Sequence, residues 1–100
     1  MDFRVIWSEI ATNDLLEILR YLQSRDPVAG IKIARGIYRE VGRLSSFPQS
    51  GSKLEELNDS AYRKLVFRGW KIVYRVLMQD RVVYLIRVWH AARGPVELED

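Results

Sequence analysis

The sequence predicts a small α+β fold in which a helical hairpin packs on an antiparallel sheet of about four strands. Two observations carry this prediction. Residues 62–93 show the alternation and composition of three consecutive strands, and residues 8–46 hold two apolar stripes at helical spacing. A short strand precedes the helices, which gives the order β-α-α-β-β-β. A length of 100 residues is typical of one domain, and we expect a single domain over residues 1–100.

The first strand is predicted over residues 3–7, where apolar side chains alternate. Ser8 is a good N-cap for the helix that follows, because its hydroxyl can accept a hydrogen bond from a free backbone N–H of the first turn. The apolar stripe of this helix has spacings of four, three and four residues, at Ala11, Leu15, Ile18 and Leu22. We expect the helix to end near residues 24–25.

The second helix is predicted to begin at residues 26–27, because Asp can cap a helix and Pro is tolerated at its first position. Inside a helix Gly30 and Gly36 each cost about 1 kcal/mol relative to Ala, and we expect them to allow a close approach of the two helices. The Phe-Pro pair at residues 47–48 ends the helix. Its apolar face comprises Ile33, Ala34, Ile37, Val41 and Leu44.

The remaining strands are predicted as an antiparallel meander, because short connections favour neighbouring strands, over residues 62–67, 70–78 and 81–89. Residues 79–80 form the predicted second turn, although they lack the glycine typical of a tight hairpin. Residues 49–60 are predicted as a loop with at most a single helical turn. The short acidic segment 94–100 is predicted as a frayed tail.

Several classes of protein are disfavoured by what the sequence lacks. There is no Cys and only one His, so disulfides and zinc sites cannot be assembled. Nucleotide-binding glycine motifs are absent. No apolar run approaches the roughly 20 residues of a membrane span, and no signal peptide is visible. We therefore expect a cytoplasmic domain with no membrane partner, metal or cofactor.

Basic residues are concentrated in the sheet segment, although the net charge is only +3 and Asp80 is the one acid between residues 62 and 93. This distribution favours an anionic partner, either nucleic acid or an acidic protein segment. Exposed strands also carry basic residues for solubility and to discourage edge pairing, so charge alone leaves both interpretations open. The basic residues are Arg63, Lys64, Arg68, Lys71, Arg75, Arg81, Arg87 and Arg93.

Any catalysis would have to be metal-free and would use Arg, Lys, His and Tyr, a set that suits phosphodiester cleavage by a neighbouring 2′-hydroxyl. His90 is the natural candidate for proton transfer, with Arg93 three residues further on. A lone His at a strand end is more often a structural hydrogen-bonding residue. Trp70 and Trp89 could stack on bases or anchor a protein partner, or could simply lie at the edge of the core.

Short motifs follow one another in a fixed order along residues 3–93. They are Trp7-Ser8, Ala11, Asp14-Leu15, Ile18, Tyr21-Leu22, Phe47-Pro48, Gly51, Tyr62-Arg63-Lys64-Leu65, Tyr74-Arg75-Val76, Val88, His90 and Arg93. Their joint order and spacing resemble the ParE branch of the RelE/ParE superfamily, the toxins of bacterial type II toxin–antitoxin pairs. RelE-like members are ribosome-dependent messenger RNA endonucleases, whereas ParE-like members stall DNA gyrase with its DNA broken.

The resemblance implies that catalytic groups of the RelE type are depleted. Arg63 and Lys71 keep basic character at two catalytic places, but Leu65 stands where a second catalytic Lys is expected and Ala91 where a distal Arg is expected. No Tyr follows Arg93 to act as the usual terminal base. One such transition-state donor contributes about 3 kcal/mol, so these losses favour the ParE branch.

The resemblance therefore implies a gyrase poison that is neutralised by a cognate antitoxin, an acidic and partly disordered chain, in an assembly that could be a heterotetramer. The expected partner-binding residues are Arg63, Lys64, Arg68, Lys71, Arg75, Trp89, His90 and Arg93. One alternative is an endonuclease that cuts messenger RNA on the ribosome, with catalytic residues Arg63, Lys71, His90 and Arg93. Another is an inactive relative that keeps only antitoxin binding.

Overall fold

The computed structural model describes residues 2–98. They form one five-stranded sheet with the strand order β1-β5-β4-β3-β2 and a hairpin of two helices packed on one face. The predicted fold class is therefore confirmed. In chain order the elements are β1 (Arg4–Trp7), α1 (Glu9–Arg25), α2 (Pro27–Gly42), β2 (Ser52–Lys53), β3 (Tyr62–Phe67), β4 (Trp70–Leu77) and β5 (Val82–His90). Single 3-10 turns follow α2 and β5, at Arg43–Ser45 and Ala91–Arg93.

The sheet differs from the prediction in two details. β1 runs parallel to β5, with Arg4 opposite Val82, so the sheet is mixed and not purely antiparallel. No tight turn joins these two strands, and the long intervening chain permits a parallel pairing. β2 is a fifth strand inside the segment predicted as a loop, and residues 54–57 of that segment form a single turn closed by a hydrogen bond from the Leu57 N–H to the Leu54 carbonyl oxygen. With two residues β2 is too short to show an alternating pattern in the sequence.

The turn between β4 and β5 is longer than the two residues predicted. Leu77 pairs with Val82, which leaves the four residues 78–81 in the turn. The Arg81 N–H donates to the carbonyl oxygen of Met78 at 3.3 Å, and Arg81 has a φ of 53°. A two-residue turn of the favoured type would require positive φ at both of its residues, and neither Gln nor Asp suits that as glycine would.

Three of the four helix boundaries follow the prediction, whereas α2 ends at Gly42, before the predicted end at residues 47–48, because the chain tightens there into a 3-10 turn. The Ser8 hydroxyl accepts a hydrogen bond from the Ala11 N–H at 3.0 Å. Asp26 ends one helix and begins the next: its N–H donates to the carbonyl oxygen of Leu22 at 2.7 Å, and its carboxylate accepts from the Ala29 N–H at 3.2 Å. One residue thus makes the whole connection of the hairpin.

The two predicted glycine contacts have different outcomes. A Cβ added to Gly30 would lie 3.1 Å from the backbone nitrogen of Gln23, so Gly30 does permit the close helix approach that was expected. Gly36 instead faces β3, because a Cβ there would lie 2.1 Å from the Phe67 ring. Gly36 therefore allows α2 to pack closely on the sheet.

Apolar residues form two cores, one on each face of the sheet. The main core lies beneath the helices and contains alternate residues of β4, among them Ile72 and Tyr74, as the predicted strand pattern requires. The opposite face, here called the open face, carries Lys64, Lys71, Val73, Arg75 and Trp89. A second, smaller core covers part of it and consists of Leu54, Val73, Trp89 and Val96.

The chain after β5 packs on the open face over residues 94–98, here called the strap. Val96 is buried in the second core and Leu98 packs against it, so this part of the predicted frayed tail is ordered by contacts. Residues 99 and 100 of that predicted tail lie outside the described residues. The strap was not visible in the sequence, because two apolar residues in an acidic segment form no periodic pattern.

Candidate functional site

A buried ion pair fixes α1 to the free edge of β5. β1 pairs with β5 only as far as Leu85, so the next residues of β5 expose unpaired backbone groups at that edge. The Asp14 carboxylate accepts from the Val88 N–H at 2.9 Å, and from Nε and Nη2 of Arg87 at 3.0 and 3.1 Å. Arg87, one of the basic residues predicted to make the sheet cationic, is therefore buried and paired with Asp14. It is not part of a cationic surface.

A bulge in β5 explains why Arg87 points where it does. Val73 pairs with Arg87 and Tyr74 pairs with Leu85, so Ile86 is an extra residue in the strand. The extra residue shifts the alternation, so that Val88 enters the main core while Arg87 turns towards the strap. Its Nη1 donates to the carbonyl oxygen of Glu97 at 3.0 Å.

Beside this ion pair, α1 and the ends of β4 and β5 enclose a cleft of about 320 Å³. Two of the sequence-predicted residues, His90 and Arg93, meet there. His90 packs edge-on against Trp70, with ring centroids 4.6 Å apart. The lining residues are Asp14, Glu17, Ile18, Tyr21, Trp70, Val88, His90 and Arg93.

His90 is held as a structural residue within that cleft. Its Nδ1 accepts a hydrogen bond from the Ala92 N–H at 3.1 Å and so caps the turn that follows β5. A neutral ring in this arrangement carries its proton on Nε2, and it offers a hydrogen-bond donor and no free lone pair for a base. The guanidinium of Arg93 stacks 3.8 Å from the centre of the Trp89 ring.

Lys71 lies away from that cleft, on the open face, where it is opposite Trp89 in the strand register. Its Nζ is 3.8 Å from Oε2 of Glu56, and the same oxygen accepts from the Val96 N–H at 2.9 Å. The hydrogen bond from Val96, with the nearby ammonium groups of Lys71 and Lys64, holds the pKa of the Glu56 carboxyl below its ordinary 4.5. A cavity of about 370 Å³ next to Lys71 is lined by acids and by the strap.

Arg63 has a structural role on the helix side of the sheet. Its Nη1 donates to the carbonyl oxygen of Gly51 at 2.8 Å. The hydroxyl of Tyr74, its partner across the strands, accepts from the Gly51 N–H at 2.9 Å. Burial raises the pKa of that hydroxyl above its ordinary 10.0. These contacts fasten the loop before β2 to the sheet and engage Nη1 of the guanidinium, whereas its buried Nε has no hydrogen-bond partner among the described residues.

The cationic surface is therefore smaller than the sequence indicates. Arg68 and Arg75 are exposed, and Lys64 is partly so. Arg75 lies over the Tyr62 ring at 5.5 Å. Trp89, expected to contact a partner, is instead only 2% exposed, and its Nε1 donates to the carbonyl oxygen of Gly94 in the strap.

A second surface, whose residues were not identified from the sequence, lies between the helices. A groove of about 540 Å³ contains Tyr38, which is 66% exposed and stacks on Trp7 with centroids 6.3 Å apart. Basic residues recur along α2 at spacings of three and four residues, which is the signal that could have revealed this face. They are Lys32, Arg35 and Arg39, and the groove is lined by Leu15, Ala34, Arg35, Tyr38 and Arg39.

Within residues 2–98 the structure places no group of three or more His, Asp or Glu where they could share a metal ion. In the same part of the chain, neither α-helix combines the length and the apolar character that crossing a membrane requires. The described residues include a groove bordered by Arg35 and Arg39, and the exposed cations Arg68 and Arg75 near the open face.

Comparison with known proteins places this geometry in a family. Residues 5–95 match the family described as the ParE toxin of the type II toxin–antitoxin system parDE. The toxin RelE2 of Caulobacter vibrioides is 29% identical over 90 residues, which cover 90% of this chain and 97% of the relative.

Solved structures share the fold. The chromosomal ParDE system of P. aeruginosa matches with a TM-score of 0.74 and 18% identity, over 88% of this chain and 95% of the other. A mutant of the E. coli toxin RelE in the free state matches with a TM-score of 0.63 and 22% identity, over 94% and 88%. Because the family match spans nearly the whole chain, this protein belongs to the ParE toxins of type II toxin–antitoxin systems.

Proposed function

We propose that this toxin acts by binding DNA gyrase and stalling it on broken DNA, and that a cognate antitoxin neutralises it. The observation that carries the proposal is the separation of the groups that an RNA-cleaving site would need. His90 and Arg93 line one cleft, whereas Lys71 lies on the open face and Arg63 beneath the helices.

Each of those groups also has a partner within the chain. Lys71 faces the carboxylate of Glu56, and Arg63 donates to the backbone of Gly51. The Nδ1 of His90 is occupied by a backbone N–H. General base catalysis needs a free lone pair near the substrate hydroxyl, and phosphate stabilisation needs converging cations. The arrangement supports a binding protein over a nuclease.

The exposed cations at the border of the open face are the best candidates for contact with gyrase or its DNA. Arg68 sits in the turn between β3 and β4, and Arg75 lies further along β4. Neither has a described acid as a salt-bridge partner, so both charges remain available to an anionic surface.

The groove between the helices is the better site for the antitoxin. Leu15 and Ala34 supply apolar surface, and Arg35 and Arg39 supply positive charge at its border. This chemistry fits an acidic amphipathic helix that folds on contact. The P. aeruginosa protein of the same fold was likewise solved as a ParDE toxin–antitoxin system.

Purified gyrase, ATP and supercoiled plasmid provide the test. Cleaved complexes should increase with the dose of toxin, and Arg68→Glu combined with Arg75→Glu should require a higher dose for the same effect. Arg20→Glu is the matched control, because Arg20 is also an exposed arginine but lies on α1. A flat dose response of the wild-type chain would refute the proposal.

One observation favours the endonuclease as a second candidate, since His90 and Arg93 do share a cleft. It predicts cut messenger RNA on programmed ribosomes, and loss of cutting in His90→Ala or Arg93→Ala with circular dichroism unchanged. Intact message at toxic doses would remove it. An inactive relative would differ from both, because its expression without an antitoxin would leave growth unaffected.

A further inference from the structure

We propose that the strap is an internal ligand of the open face, held closed by Glu56, and that its release exposes a docking site for an acidic, apolar protein segment of another chain. This inference concerns the folded toxin alone and does not depend on the identity of its target. Residues 94–98 are the strap, and the covered site is formed by Lys71, Val73 and Trp89.

Three kinds of contact hold the strap in place. Val96 fills the second core, where it is 7% exposed. The Trp89 indole donates to the carbonyl oxygen of Gly94 at 3.1 Å, and Arg87 donates to that of Glu97 at 3.0 Å. The strap therefore rests on side chains of β5 and adds no strand to the sheet, so it can leave without disturbing a ladder of backbone hydrogen bonds.

Glu56 is the only described side chain that joins the strap to the loop before β3 by a hydrogen bond, through the Val96 N–H at 2.9 Å. The same carboxylate oxygen lies 3.8 Å from Lys71. It is thus shared between a cation of the open face and a backbone donor of the strap. Hydrogen bonds to a carboxylate are stronger than those to a neutral acceptor, so the charge of Glu56 matters to closure.

The sequence of the strap indicates which chemistry the covered site accepts. Residues 96–100 are Val-Glu-Leu-Glu-Asp, an alternation of apolar and acidic side chains. Within the described part, the apolar residues face the second core while Lys64, Lys71 and Arg75 lie on the same face of the sheet. A segment with the same alternation in another chain would find the same apolar floor and the same cations.

Glu56→Gln tests the closure, with Glu55→Gln as the matched control. Glu55 is exposed in the same loop and makes no described hydrogen bond or ion pair. In Glu56→Gln we expect amide exchange at Val96 to accelerate by about tenfold, as expected for loss of a charge-assisted hydrogen bond, with exchange in α1 unchanged. Equal protection of Val96 in the wild-type chain and the variant would overturn the closure.

The dependence of closure on pH has a defined sign. Because the folded pKa of Glu56 lies below 4.5, its contribution is present above that pH and is lost as the pH falls through the folded value. The charged groups that face it are Lys71 and Lys64, with Glu55 lining the same cavity. The roughly tenfold difference in Val96 protection between the wild-type chain and Glu56→Gln at neutral pH should therefore disappear in acid, because the protonated Glu56 is as neutral as Gln. Protection is expressed here relative to the intrinsic exchange rate at each pH.

Docking is tested with a fluorescent synthetic peptide of residues 94–100 added to the full chain. Val96→Asp, which opens the strap without altering Glu56, should bind it more tightly than the wild-type chain by about tenfold, because the strap no longer competes, and binding should weaken as salt is added. Glu56→Gln should show no such gain, because the peptide loses the same hydrogen bond to Glu56 that the strap loses. If Val96→Asp binds the peptide no more tightly than the wild-type chain, or binds a single-stranded RNA oligonucleotide instead, the proposed occupant is wrong.

Discussion

Substituting Asp14 is predicted to destabilise the fold more than any exposed charge change, because it leaves Arg87 buried without its carboxylate. The two side chains are 12% and 9% exposed. Removing one partner of a buried pair costs about 3–5 kcal/mol. The Val88 N–H also loses its acceptor, whereas Arg87 keeps its hydrogen bond to Glu97. We expect Asp14→Ala to lower the free energy of unfolding by about 3 kcal/mol and Tm by about 12–24 °C.

Urea unfolding followed by tryptophan fluorescence measures this cost. Arg43→Ala is the control: it breaks the ion pair with Glu40 at 3.2 Å, but Arg43 is 68% exposed, so the loss should stay below about 0.5 kcal/mol. The double variant Asp14→Leu, Arg87→Met should recover much of the stability, because the buried guanidinium is removed together with the carboxylate. A cost below about 1 kcal/mol for Asp14→Ala, or a double variant that is as unstable as the sum of both single ones, would refute this reasoning.

Three other substitutions test the packing of a helical glycine and the hydrogen bond of a buried tyrosine. Gly36→Ala should destabilise the protein by about 1–3 kcal/mol, because its Cβ would collide with Phe67, whereas Gly42→Ala meets nothing within 4 Å and should be neutral or stabilising by up to about 1 kcal/mol in thermal unfolding. Tyr74→Phe should cost about 1–3 kcal/mol by leaving the buried Gly51 N–H without its acceptor. With the tyrosine present, stability should fall as pH rises above 10.0, since the unfolded chain ionises first, and tyrosinate absorbance should show one late-titrating group. Equal stability of Gly36→Ala and Gly42→Ala, or a harmless Tyr74→Phe, would contradict these contacts.

The local features of the fold were predictable because they depend on neighbours in the sequence. Ser8 and Asp26 cap helices through bonds to residues three positions away, which a sequence pattern shows directly. The alternation of β4 likewise placed Ile72 and Tyr74 in the main core.

Features that depend on distant partners could not be predicted in the same way. The parallel pairing of β1 with β5 joins residues about eighty positions apart, and no local pattern encodes it. The bulge at Ile86 turns Arg87 into a buried residue, although its composition and position suggested an exposed cation. The strap depends on Val96 finding a pocket that Leu54, from a separate loop, helps to build.

In the candidate site, too, some features could be predicted from the sequence and others depend on contacts between distant residues. Motif order was sufficient to indicate the family, since order and spacing are properties of the sequence. Which charges are available is a property of the folded chain. By their positions in the sequence Lys71 and Arg63 resemble catalytic residues. In the structure Lys71 lies near the Glu56 carboxylate and Arg63 donates to the carbonyl oxygen of Gly51. Arg35 and Arg39 belong to none of the motifs in the sequence, yet they border the groove of about 540 Å³ between the helices.

The most direct measurement compares two products in the same cells soon after the toxin is induced without an antitoxin: gyrase covalently trapped on DNA, and cut messenger RNA. A chain that docks on gyrase should raise trapped gyrase in the first generation while messages stay intact, and His90→Ala should leave that yield unchanged. Cut messages without trapped gyrase, abolished by His90→Ala, would contradict the account.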